Sequence, residues 1–204
     1  TAIGDPMDLG DEGLVIWRLD LRQSLYNTQG QTVDKNGGVH ALMWHRRQEP
    51  GFQWQSGDKK WDPLDSAYHH YYRDPATGQW SSRRLPVEYR DGDTVRPLPI
   101  GRRGQILTDK DGNAIAVYTT RNDPKSSYVY IPGHLVIAGA TAASNYSDWE
   151  ILYVGETTFD GEPLVDQERL IRDGILSIFL QEASDDPGRT GSKLHVLEFS
   201  VDVQ

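Results

Sequence analysis

Residues 29–45, QGQTVDKNGGVHALMWH, and residues 103–119, RGQILTDKDGNAIAVYT, share one pattern. Each reads as a short strand, a tight turn carrying Asp and Gly, and a second apolar strand. Residues 165–180, VDQERLIRDGILSIFL, repeat it more weakly. Asp-Gly turns signal hairpins because the reversal needs a residue that accepts positive φ. Recurrence at intervals of about 60 to 75 residues marks a repeat architecture with inserted loops.

Gly and Pro interrupt every window of helical length, and the apolar positions alternate. The pattern predicts about twelve strands. Leu14–Asp20 comes first. Gln29–Asp34, Val39–His45, Tyr68–Arg73 and Gln79–Leu85 form one set, and Gly104–Asp109, Ala114–Thr120, His134–Ala140 and Trp149–Val154 a second. Leu164–Ile171, Ile175–Gln181 and Leu194–Val203 form a third. The fold class is therefore all-β. Four up-and-down strands per repeat are the unit of a β-propeller blade, and a closed ring takes ~4–8 blades. Residues 1–204 then form the C-terminal part of a single propeller domain. They hold about two complete and two partial blades, some three blades' worth of strands, and do not close a ring alone. An independent β-sandwich is the alternative.

A formal net charge of −9 argues against a nucleic-acid partner. No apolar run approaches the ~20 residues of a membrane span, so no membrane partner is expected. The chain has no cysteine, which excludes disulfides and thiolate metal sites.

Blade connectivity brings the loop before each inner strand and the loop joining the second and third strands to one face. Those loops include Asn27, Gln29, Arg102 and Arg103, the stretch from His45 to His69, and the stretch from Arg121 to Tyr128. Long loops on one rim of a rigid scaffold concentrate function. His45, His69, His70 and Tyr72 are the candidates for proton transfer, beside Arg46. Side chains alternate along a strand, so only one of His69 and His70 can face His45. A second reading has His45 and His70 holding a divalent metal, zinc or calcium. A third has the histidines packed between blades. Arg46, Arg102, Arg103 and Arg121 can grip carboxylates through paired hydrogen bonds. Trp54 and Trp61, set among polar residues, can stack on sugar rings.

Residues 27–45 together with residues 68–74 and Gly78, Gln79 and Trp80 resemble the BNR-repeat-containing propeller family, which includes ulvan lyases. The resemblance is strongest from about Leu14 to Tyr118 and fits the C-terminal half of a propeller of about seven blades. It implies a secreted polysaccharide lyase that breaks an acidic, uronic-acid-containing polysaccharide or oligosaccharide by β-elimination. There a positive group neutralises the carboxylate, and His or Tyr removes the C5 proton. It also implies that the N-terminal half of the propeller, on another chain or in a longer precursor, is a partner that supplies much of the catalytic set. A structural zinc held by His and Cys in the family cannot be carried over intact, since no Cys is present. The alternatives are a non-catalytic carbohydrate-binding propeller and a sialidase-type glycoside hydrolase. A hydrolase needs paired carboxylates at the mouth, where Asp166 is the one clear acid.

Overall fold

The computed structural model describes residues 23–25, 30–47, 67–99, 103–120, 133–184 and 192–201. They form an all-β protein with one short helix, in antiparallel sheets of which none closes on itself. Sheet 1 contains β1 (Gln23–Leu25), β2 (Gly30–Val33), β3 (Val39–Arg47), β4 (Ala67–Arg73) and β5 (Trp80–Arg84). β2 and β1 share one edge of β3, followed by β4 and β5 across the sheet. A separate hairpin, β6 (Glu88–Asp91) and β7 (Thr94–Pro97), follows. Sheet 2 runs in chain order through β8 (Gln105–Thr108), β9 (Ala114–Thr119), β10 (Gly133–Ala140) and β11 (Glu150–Phe159). Sheet 3 is β12 (Leu164–Val165), β13 (Ile175–Gln181) and β14 (Leu194–Ser200).

The first two hairpins are built alike down to single hydrogen bonds. In one, Asp34 N–H donates to Gly38 O and Gly37 N–H to Asp34 O. Asp34 Oδ1 also accepts from Asn36 N and Gly38 N at 2.8 and 2.9 Å. In the other, Asp109 N–H donates to Asn113 O and Gly112 N–H to Asp109 O. Asp109 Oδ1 accepts from Asp111 N and Asn113 N at 2.8 and 2.9 Å. Gly37 and Gly112 take φ of 87° and 91°, a region open to glycine at little cost.

The third repeat departs from the expected strand Leu164–Ile171. Residues after Val165 form α1 (Gln167–Asp173). Asp166 caps it, accepting from Arg169 N at 3.0 Å, and Gly174 ends it by donating to Leu170 O. Asp173 and Gly174 thus close a helix rather than a hairpin, and Leu170 is the residue α1 buries. The β6–β7 hairpin, turning at Gly92 and Asp93, was absent from the expected strands. Leu14–Asp20 lies outside the described residues.

Sheet 2 is covered on both sides, so every residue of β9 is buried. One face packs Ile106, Ala116, Tyr118 and Val136 against Leu42, Trp44 and Tyr68 of sheet 1. The other packs Leu107, Ile115, Leu135 and Ile137 against Leu170, Leu176 and Ile178. Each large aliphatic side chain so buried stabilises the fold by about 1.5–3 kcal/mol. Gly30 sets the spacing of the first strands: a Cβ there would lie 2.4 Å from Ile106 N, so β2 approaches β8 only as glycine.

Candidate functional site

Register decides which side chains meet. β3 and β4 pair with His40 opposite Tyr72, Leu42 opposite His70, Met43 opposite His69 and His45 opposite Ala67. Directly opposite residues share a face. Hence His45, His69 and Tyr71 lie on one face of sheet 1, and His40, His70 and Tyr72 on the other. The expected metal pair of His45 and His70 is not formed, because the sheet stands between them. Among the described residues no group of three or more His, Asp or Glu side chains is arranged to hold a metal. Among the described residues, then, no donor set fits zinc or calcium.

The face toward sheet 2 carries a buried chain of polar groups. Asp34 Oδ2 lies 3.2 Å from His40 Nε2, and His40 Nδ1 lies 2.9 Å from His70 Nε2. The carboxylate accepts from His40 Nε2–H. That leaves His40 Nδ1 as an acceptor for His70 Nε2–H. Both nitrogens of His40 are thus used in a line, not turned toward a common point. Burial lowers the His40 pKa, with Asp34 pulling the other way. Burial, with His40 and Arg83 nearby, pushes His70 down to about 3. Burial alone would raise Asp34, but hydrogen bonds from Gly38, His40 and Asn36 hold it below the usual carboxylate range.

Tyr146 closes this cluster from the loop between β10 and β11. Its ring stands edge-on to His40 and His70 at 5.0 and 5.2 Å, and its hydroxyl donates to Gly112 O at 3.0 Å. It reaches that carbonyl with φ of 56°, which for a non-glycine residue costs about 1–2 kcal/mol. Tyr72 packs on Tyr146 at 4.7 Å, and Trp149 stands edge-on to His70. Burial raises the pKa of both tyrosines.

The opposite face holds His45, whose Nε2 lies 2.6 Å from the Tyr71 hydroxyl, with both side chains buried. The His69 ring stands edge-on to His45 at 5.0 Å. His69 is only half-buried, and its neighbour on β5 in register is Arg84, which is exposed. Burial, then the nearby His45 and Arg84, lower the His69 pKa to about 4. At neutral pH His69 is an uncharged imidazole beside a guanidinium.

Of the other expected residues, Arg103 precedes β8 and is half-exposed, its Nε 3.1 Å from Glu162 Oε1. Arg46 lies in β3 opposite Ser24 of β1. Asn27, Gln29, Trp54, Trp61, Arg102 and Arg121 lie outside the described residues. Asp166 is engaged as the cap of α1. His40, Asp34, Tyr146, Tyr71 and Arg84 were not among the expected site residues. Counting across the tight turn at residues 74–79 finds Arg84 from His69, and alternation finds His40 from Leu42 and Trp44.

No protein-family model matches the chain, and no curated protein matches it.

Proposed function

We propose that the chain is part of a β-propeller that binds an acidic polysaccharide and cleaves it by β-elimination at a uronic acid. Sheets 1, 2 and 3 follow one another face to face in chain order, and β2 lies against β8 as neighbouring inner strands do. That supports the blade reading. The outward face of sheet 3 aligns Leu164, Phe179 and Val196 across three strands, 67%, 37% and 52% exposed. An apolar row of that kind suits a further blade, which supports a partner that completes the ring.

The observation that carries the activity is the juxtaposition of half-buried His69 with exposed Arg84 on one face of sheet 1. Elimination needs a group that offsets the carboxylate charge, which acidifies the C5 proton, and a base that removes it. Arg84 supplies the first through a bidentate fork. His69, uncharged above about pH 4, supplies the second. His45 and Tyr71, locked together behind it, hold the imidazole in place. Protonation of the leaving oxygen falls to solvent or to the other part of the ring.

Incubation with uronate polysaccharides tests this through the ultraviolet absorbance of the unsaturated product, which only elimination creates. Wild-type activity lost in Arg84→Ala is the expected result. No new absorbance, with the polymer bound but intact, would leave the non-catalytic carbohydrate-binding reading. The hydrolase reading has less support. Asp166, the one clear acid expected at the mouth, caps a helix, and Glu162 is paired with Arg103.

A further inference from the structure

A groove of about 670 Å³ runs between the β6–β7 hairpin and the outer edge of sheet 2. Residues 88–90 of β6 border one side, and residues 150–154 of β11 the other. A strand that offers a face contributes alternate residues; here consecutive residues line the groove on both sides. The strands therefore present their edges, with main-chain N–H and C=O groups. Among the described residues β6 pairs only with β7, and β11 pairs along its length only with β10. The far end of β11 is already capped: Ala183 N–H donates to Thr158 O, and Phe159 bridges Glu182. The stretch 150–154 has no such cover among the described residues.

Three further features point to a ligand with an extended main chain. First, Glu88, Arg90 and Glu150 line the groove, and none has an ion-pair partner among the described residues. Two carboxylates against one guanidinium favour a ligand with basic side chains. Second, the register of β10 and β11 shifts between Ile137 and Ala138, inserting Leu152 as a bulge. A bulged edge resists long, flat pairing with another sheet but leaves short segments room. Third, an edge of this length spans about 17 Å, the reach of a short strand.

We propose that this groove takes a short, extended, basic segment of a partner protein, paired through its main chain to the open edge of β11. Glu88 and Glu150 meet its lysine or arginine side chains. Tyr153, held against Phe199 with ring centroids 4.9 Å apart, gives its apolar side chains a wall. This reading stands apart from the polysaccharide site on sheet 1.

The probe is a blocked peptide of alternating lysine and valine, titrated against the full chain with amide NMR and calorimetry. Saturable binding is expected, with shifts concentrated at residues 150–154. The same peptide N-methylated at alternate residues should bind at least about tenfold more weakly, because it keeps its side chains but loses one row of donors. The double variant Glu88→Lys, Glu150→Lys should lose the lysine peptide about tenfold and prefer a glutamate–valine peptide. Both positions are exposed, and an unchanged circular dichroism spectrum confirms the fold. Equal binding of the N-methylated peptide overturns the proposal, as does no saturable binding. Shifts at Tyr89 and Tyr153 with a neutral oligosaccharide, but none with peptide, assign the groove to sugar instead.

Discussion

The two faces of sheet 1 use the same residue types to opposite ends. Toward sheet 2, Asp34, His40, His70, Tyr72 and Tyr146 sit in a closed cluster, with the two histidines 0% and 1% exposed. On the other face, His45 and Tyr71 are equally sealed, but His69 keeps part of its surface and adjoins exposed Arg84. A histidine cluster by itself therefore identifies no site. What separates the faces is whether one imidazole retains both a lone pair and a path to solvent. His40 spends both nitrogens on its neighbours, whereas His69 stands at the margin.

The sharpest way to break this contrast is to remove His69. His69→Ala should lower elimination about 10²–10⁴-fold, the span expected for loss of a general base. In the wild type the rate should rise through about pH 4 and then level, because protonated His69 cannot accept a proton. A rate profile insensitive to pH in that region, or an active His69→Ala, moves the chemistry away from this face.

Asp34→Ala tests the other face through stability. The carboxylate holds two backbone amides and His40, with the bonds to Gly38 N and His40 buried and the one to Asn36 N part-buried. Removing it strands His40 and should cost about 3 kcal/mol in urea unfolding. Asp109 makes the matching turn bonds without a histidine, and it also accepts from Asn113 Nδ2. Asp109→Ala should cost about 1 kcal/mol. Equal losses at the two turns would show that the histidine chain adds nothing to the first.

The same chain sets a dependence on pH. His70 has its folded pKa depressed to about 3, below the ordinary value of 6.5. Between those values the unfolded chain binds the proton and the folded one does not. The stability contributed by neutral His70 is fully present above about pH 6.5 and declines as pH falls toward about 3. His70→Gln should flatten the melting-temperature curve over that window. An unchanged slope would assign the acid sensitivity to other groups.

These differences show what could be read along the chain and what could not. Across a tight turn, register follows from counting, so the hairpins at Asp34 and Asp109 and most strands of sheets 1 and 2 were legible. β3 and β4 are joined by residues 48–66, and counting across a connection of that length fixes no register. Which of His69 and His70 faces His45 therefore stayed open, and His40 went unnoticed as the partner of His70. The helix α1 is hidden from a strand pattern because Asp173 and Gly174 suit a hairpin turn as well as a helix end. Asp166 as an N-cap residue, with Glu168 in the first turn, is the start signal that distinguishes them. The β6–β7 hairpin carries its own Asp-Gly turn, but it falls between the repeats, and the repeat pattern does not include it.

Arg103 gives the smallest effect, and the structure changes what to expect of it. From position alone its guanidinium is free to meet an anionic ligand at the rim, and Arg103→Ala should cost roughly ten- to a hundredfold in affinity. Arg103 instead lies 3.1 Å from Glu162, with both side chains well exposed at 49% and 38%. An exposed pair of this kind contributes at most about 1 kcal/mol to stability, so Arg103→Ala should leave the melting temperature almost unchanged. An acidic oligosaccharide must displace Glu162 before it can use Arg103, which reduces the expected affinity loss to about three- to tenfold. Removing the competitor gives the opposite sign. Glu162→Gln releases the guanidinium and takes a negative charge from the rim, so affinity for the acidic oligosaccharide should rise about threefold. The pair of variants separates ligand binding from scaffold. If Arg103 binds ligand, the two move affinity in opposite directions with melting temperature fixed. If both lower the melting temperature and neither moves affinity, Arg103 and Glu162 serve to tie the start of β8 to the segment before β12.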